Sequence, residues 1–167
     1  AEVQYGLGHL DAALKAVDEA IAKAVDVRSH ADELQARLLK VRILAAMKRE
    51  REARAELAVV KQGLVRYASV PLRLRLAETS LLLGGAQATA DYREARILLA
   101  RLPAYGHAFM IHQLGARAAQ ASSDSGREAQ SLAREAFEAL LKQTPEARYT
   151  TLRSWAKSMG YEEAPTP

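Results

Sequence analysis

Gly8 to Ile21 reads Gly-His-Leu-Asp-Ala-Ala-Leu-Lys-Ala-Val-Asp-Glu-Ala-Ile. A glycine break precedes apolar or small residues at Leu10, Ala13, Leu14, Val17, Ala20 and Ile21. Those spacings place one stripe on one face of a helix. Ala13 and Ala20 are the small members, at which a neighbouring helix can come close. A variant of the stretch returns at Asp91 to Leu102. The recurrence points to repeated helical hairpins.

The rest of the chain fits around that segment. Residues 1–7 read as the last turns of a helix that begins earlier, an end able to pair with a second copy. Gly8 closes it, and Leu10 to about Asp26 makes the next helix. Ser29 can cap a third, running to about Met47 with Leu34, Leu38, Val41 and Leu44 inward. Lys48 to Glu52 is a charged turn without a breaker, followed by a stripe at Ala53, Leu57, Val60 and Leu64. Ser69-Val70-Pro71 opens a fifth helix, with proline in the first turn where its missing N–H costs nothing. Gly84-Gly85 ends that helix, and Gly84 to Ala90 is a small-residue loop.

Asp91 to Glu94 has the pattern of a capping box opening a sixth helix, which Pro103 stops. A seventh is expected over about Tyr105–Ala121. Ser122 to Gly126 is polar, and Ser125 to Glu128 repeats the box before a helix to about Gln143. Thr144-Pro145 reads as the cap of the last helix, which ends at Gly160. The expected fold is all-α, with about nine helices in four hairpins over residues 1–160 and a tail over 161–167. Leu152, Trp155 and Met159 should let the last helix cover the open end of the stack. A plain antiparallel bundle is the alternative, since alanine periodicity is common in alanine-rich chains.

The leading alanine, a large residue four later and a small or apolar residue three beyond recur. They stand at Ala13, Val17, Ala20; at Ala53, Leu57, Val60; at Ala95, Leu99, Leu102; and, more weakly, at Ala129, Ala133, Ala136. The leading alanines lie 40, 42 and 34 residues apart. Ile111, Leu114, Gly115 and Ala118 precede the fourth copy. In these residues the chain resembles the tetratricopeptide repeat family, whose hairpins carry apolar residues, Leu-Gly and Tyr on one helix and Ala, a large apolar residue and Pro on the other. Asp91-Tyr92-Arg93-Glu94-Ala95 is the most family-like segment. The resemblance spans most of residues 8–143, with longer intervals than the usual ~34 residues. Arg37, Lys40 and Val41 replace the first-helix residues of the second copy. It implies a right-handed α-solenoid in which each hairpin hides its apolar face against the next.

Composition agrees with helices packed through Ala and Leu. Of 167 residues 49% are hydrophobic, 26% charged and only 5% aromatic. With no Cys, disulfides, thiolate metal sites and thiol catalysis are excluded. No apolar run is long enough to span a membrane. No signal peptide is legible in the chain as given. The absence of Asn with abundant Ala, Leu and Arg points to a GC-rich, bacterial genome. The expected compartment is the cytoplasm, with the periplasm as the alternative.

No catalytic set, cofactor motif or metal pattern stands out. His9, His30, His107 and His112 include no i, i+4 pair. Gly6-Leu7-Gly8 follows no strand, and Gly84-Gly85 lacks the Lys-Ser/Thr of a phosphate loop. The chain is therefore read as non-catalytic, with no cofactor.

Charge is more informative. The formal net charge is +4, yet Arg28–Arg66 alone holds ten basic and five acidic residues. Arg73 and Arg75 extend this basic segment. Three readings compete: solvated helix faces, an acidic protein partner, and nucleic acid. Interleaved acids and a single aromatic, Tyr67, weigh against nucleic acid.

The family resemblance implies a groove formed by the first helix of each hairpin. By that register Leu38 and Arg42, then Leu74 and Glu78, then His112 and Ala116 face a bound peptide, with Arg37 beside them. The Asn- and Lys-built carboxylate clamp of the family's chaperone-binding members has no counterpart in a chain without Asn. The expected function is a protein-interaction module within a larger regulatory or assembly protein, binding an acidic peptide or helix. A nucleic-acid-binding domain using Arg28–Arg75 is the alternative. Charge reversal of Arg37 and Arg42 together is expected to slow association and leave the fold intact.

Overall fold

The computed structural model describes residues 1–65, 69–102, 104–119 and 123–161. The readings placed on Arg66, Tyr67, Pro103, Ala121, Ser122 and the tail beyond Tyr161 lie outside the described residues. Among the described residues the chain is all-α, with nine α-helices, one short 3-10 turn and no strand. It divides into two compact units, Ala1–Leu83 and Gly84–Pro167.

The first unit holds α1 (Glu2–Gly6), α2 (Leu10–Asp26), α3 (His30–Ala46), α4 (Glu50–Leu64) and α5 (Val70–Leu83). Helices α2, α3 and α4 begin at residues 10, 30 and 50, a period of 20. Each preceding helix closes in the same way. The residue in the left-handed region donates to the carbonyl three back, and its successor donates five back: Gly8 to Tyr5 and His9 to Gln4, Arg28 to Val25 and Ser29 to Ala24, Lys48 to Ala45 and Arg49 to Leu44. These are Schellman closures, which satisfy carbonyls left over at the helix end. Gly8 adopts φ +77 without a Cβ penalty, but Arg28 (φ 56) and Lys48 (φ 62) carry side chains there. The 40-residue interval between Ala13 and Ala53 is thus two 20-residue helix-turn units. Such short turns force successive helices antiparallel.

Helix α3 packs on α2 along one side and on α4 along another. Leu34, Leu38, Val41 and Leu44 join Ala53, Leu57, Val60, Leu64 and Leu72 in one core. Ile43, with Ala36 and Leu39, meets Ala13 and Val17 of α2. Ala13 is fully buried at this approach, whereas Ala20, expected to play the same part, is exposed and Ala24 is buried in its place. Ser29 precedes α3, but its Oγ donates to Asp32 Oδ2 at 2.5 Å and caps no backbone N–H. At α5, Ser69 Oγ does accept from Leu72 N, at 3.4 Å.

The second unit holds α6 (Ala88–Arg101), α7 (Ala108–Ala118), α8 (Asp124–Gln143), the 3-10 turn Glu146–Arg148 and α9 (Tyr149–Ser158). Several starts differ from the sequence reading, that of α7 among them, which is at Ala108 and not near Tyr105. Helix α6 begins at Ala88, so Asp91 lies in its first turn and is not its cap. The cap of α8 is Ser123, whose Oγ accepts from Gly126 N at 3.1 Å, because Ser125 is already helical. Thr144 ends α8, its hydroxyl donating to the Leu140 carbonyl at 2.7 Å, and the 3-10 turn stands between Pro145 and α9.

Helix α7 is central, packed on α6 and α8 and buried from Ile111 through Ala116. Ala129, Ala133 and Phe137 form the inward stripe of α8. Phe109, Phe137, Ala156 and Tyr161 make an aromatic core against which Leu152 and Trp155 pack. Gly160 (φ +79) closes α9 and turns Tyr161 inward. Tyr161, assigned to the tail by composition, is buried, with its ring centroid 4.8 Å from Phe137 and 5.2 Å from Phe109.

Candidate partner-binding surfaces

Two basic side chains of α3, Arg37 and Arg42, were expected to meet a partner. In the first unit both are engaged internally. Arg37 Nε donates to Glu33 Oε1 at 2.8 Å, and its Nη1 to Glu56 Oε1 at 2.5 Å. Lys40 reaches Asp18 at 2.8 Å and Glu56 at 4.0 Å. The result is a chain of ions from α2 through α3 to α4. Burial alone would lower the Arg37 pKa, but its bonds to Glu56 and Glu33 outweigh that and raise it. Its hydrogen bond holds Glu33 below the usual carboxylate range. Arg49 pairs in the same way with Glu52 at 2.6 Å. Part of the local positive excess is therefore spent between neighbouring helices.

Arg42 Nη1 lies 3.6 Å from Glu78 Oε1, joining α3 to α5, and its guanidinium carbon stands 5.8 Å from the Tyr5 ring centre. Its Nε is buried with no hydrogen-bond partner among the described residues. The Glu78 side chain is 4% exposed, and Leu38 and Leu74 are buried. The space between Gln35, Arg42, Arg75, Glu78 and Thr79 is about 10 Å³, room for one water molecule and not for a peptide side chain. The structure thus brings Leu38, Arg42 and Glu78 together as packing between α3 and α5.

His112 and Ala116 lie in the second unit, both buried. His112 Nδ1 and the Tyr92 hydroxyl are hydrogen-bonded at 2.9 Å, with the rings edge to face at 5.9 Å. Burial, with Arg96 nearby, lowers the His112 pKa to about 4, so the ring is neutral at pH 7. Burial raises the Tyr92 pKa to about 12. Arg96 also binds Glu128 through two hydrogen bonds of 2.9 and 2.5 Å, tying α6 to α8. No group of three or more His, Cys, Asp or Glu able to hold a metal occurs among the described residues.

The sequence reading missed a cleft of about 510 Å³ in the second unit. Phe137, Ala156 and Tyr161 form its buried floor, and Thr150, Arg153, Ser154 and Lys157 its exposed lip. The lip residues are spaced i, i+3, i+4 and i+7, one stripe of α9. That polar stripe was legible, but the helix was read only for its apolar side. Arg153 lies against Tyr149, 5.8 Å from its ring centre. Among the described residues, none of the seven that line it is acidic.

Compared with protein-family models, curated proteins and solved structures, the chain matches none. No helix among the described residues is long and apolar enough to cross a membrane.

Proposed function

We propose that the chain is a non-catalytic protein-interaction module, a right-handed stack of helical hairpins of the tetratricopeptide type. The observation that carries the reading is the serial packing of the first unit. Helices α2, α3 and α4 recur every 20 residues, each following the same closure of the helix before it, and α3 is sandwiched between its sequence neighbours. Packing of that kind makes stability a sum of neighbour terms and leaves long helical faces for partners. The chemistry argues in the same direction. Among the groups that catalysis would use, His112 is neutral and bonded within the core.

The second reading, a nucleic-acid-binding domain, rests on the cations of Arg28–Arg75. Arg28, Lys48, Arg51 and Arg54 are exposed. Arg37, Lys40, Arg42 and Arg49 are paired with carboxylates, which weakens a phosphate-binding role. Selection of displayed random peptides on the full chain, beside titration of labelled duplex and single-stranded DNA, separates the two. Enriched peptides with no saturable DNA binding support the interaction module. An empty selection overturns it, and DNA binding with a steep salt dependence favours the second reading.

A further inference from the structure

We propose that the groove of α7 and α8 beneath α9 is a helix-binding site, that α9 is its occupant within the chain, and that a partner helix with the apolar pattern of α9 displaces it. The inference deepens the interaction-module reading above and rests on it. Phe109 of α7 and Phe137 of α8 form the floor, ring centres 5.1 Å apart, with Ala133 one turn before Phe137. Helix α9 meets them with Leu152, Trp155 and Ala156, spaced i, i+3 and i+4 on one stripe. The Trp155 ring lies edge to face on Phe109 at 5.3 Å. Tyr161, turned in behind Gly160, closes on Phe109 and Phe137 at 5.2 and 4.8 Å. Gln113, one turn beyond Phe109 and buried, donates from Nε2 to the Met159 carbonyl at 3.4 Å. An apolar stripe laid in a hydrophobic groove is how an amphipathic helix is recognised.

Helix α9 is built to leave as a unit. Helices α7 and α8 lie close along their length, with the small residues Gly126, Ala129 and Ala133 buried on α8. Helix α9 stands further off and reaches the same floor through large side chains, and Ala156 alone of its residues is buried. The connection to it is exposed from Pro145 to Arg148 and begins with two extended residues, Thr144 (ψ 134) and Pro145 (ψ 139). A helix of ten residues is marginal on its own, so the groove is what keeps α9 helical. Elements held in this way open locally while the rest of the fold stays closed. The Phe109–Phe137 pair belongs to α7 and α8 and remains when α9 departs. The occupant also sets the chemistry of its rival. The displacing helix carries a large aliphatic residue, an aromatic three later, a small residue beside it, and a second aromatic behind a glycine at its end.

The probe is a synthetic peptide of residues 146–161, added to the full chain carrying Trp155→Ala. That substitution loosens the chain's own α9 and removes its only tryptophan, so the peptide's indole is the sole one present. A saturable blue shift of its emission is expected as it packs on Phe109. By anisotropy of a labelled peptide, affinity should be about tenfold or more above that for the wild-type chain, whose own α9 competes at high effective concentration. Leu152→Ala in the full chain, a milder loosening, should raise peptide affinity in the same direction, and circular dichroism checks that both variants fold. A peptide carrying Leu152→Ala and Tyr161→Ala should not bind. Hydrogen exchange on the unaltered chain should show α9 amides exchanging about tenfold or more faster than those in the middle of α8. No saturable peptide binding, equal affinity for the wild type and both variants, or α9 amides as protected as those of α8 would each overturn the proposal. The displayed-peptide selection does not depend on α9. Enriched peptides that bind the wild type and Trp155→Ala equally overturn the groove and leave the interaction-module reading standing, whereas an empty selection overturns both.

Discussion

Gly115→Ala should destabilise the second unit, although alanine is the better helix former by about 1 kcal/mol. A Cβ at Gly115 would lie 2.3, 2.4 and 2.6 Å from three ring atoms of Tyr92. Ordinary contacts are more than 1 Å longer. The ring has little room to withdraw: Tyr92 is 5% exposed and its hydroxyl is bonded to His112. Overpacking of this kind costs roughly 1–3 kcal/mol, and a broken Tyr92–His112 bond adds about 1 kcal/mol. After the helix-propensity gain, a net loss of about 1–3 kcal/mol is expected. Trp155, the only tryptophan, packs in the same unit, so its fluorescence during urea unfolding reads the effect locally. Gly63→Ala is the control, because its Cβ meets only the tip of Leu34, at 2.7 Å, a side chain that can rotate. A Gly115→Ala protein with an unchanged or higher urea midpoint would refute the close approach of α7 to α6.

Three further outcomes follow from the same geometry. Because His112 has a folded pKa of about 4 against 6.5 when unfolded, the second unit should hold full stability above pH 6.5 and lose up to about 3 kcal/mol as pH falls toward 4. His112→Gln should remove that part of the pH dependence, measured as the difference in urea midpoints at pH 7 and 4.5. Lys48→Gly should raise the first unit's stability by about 1 kcal/mol in thermal or urea unfolding, since it relieves a left-handed residue whose side chain is exposed. Arg37→Glu/Arg42→Glu should lower stability by several kcal/mol, because it sets glutamates against Glu33, Glu56 and the buried Glu78. Circular dichroism melting checks it, and an unchanged melt would mean that the ion chain contributes nothing.

The apolar stripes were legible because helical period and burial coincide: Leu34, Leu38, Val41 and Leu44 read as one face and are one face. Period also exposed α4, whose Ala53, Leu57, Val60 and Leu64 are all buried. The turns were less legible. Arg28 and Lys48 occupy left-handed positions that glycine usually marks, so the 20-residue unit was hidden inside a 40-residue interval. Helix starts drifted for a related reason. Any Ser or Asp near a boundary can look like a cap, and only the backbone register chooses Ser123 over Ser125. Site residues were hardest, because their meaning depends on pairings between helices. Arg37 is a solvated cation in the sequence and a bridge to Glu56, 19 residues away, in the fold. Tyr161 follows a helix-ending glycine and gives no local sign that its ring turns back onto Phe137.

The central claim is that this molecule recognises a protein segment and not a nucleic acid. The most direct measurement is anisotropy titration of the full chain with a selected peptide, a DNA duplex and a DNA single strand, under the same conditions between roughly 50 and 200 mM salt. The expected result is saturable peptide binding at every salt concentration, with no saturable DNA binding. Saturable DNA binding that falls steeply with salt, beside no peptide binding, would contradict it.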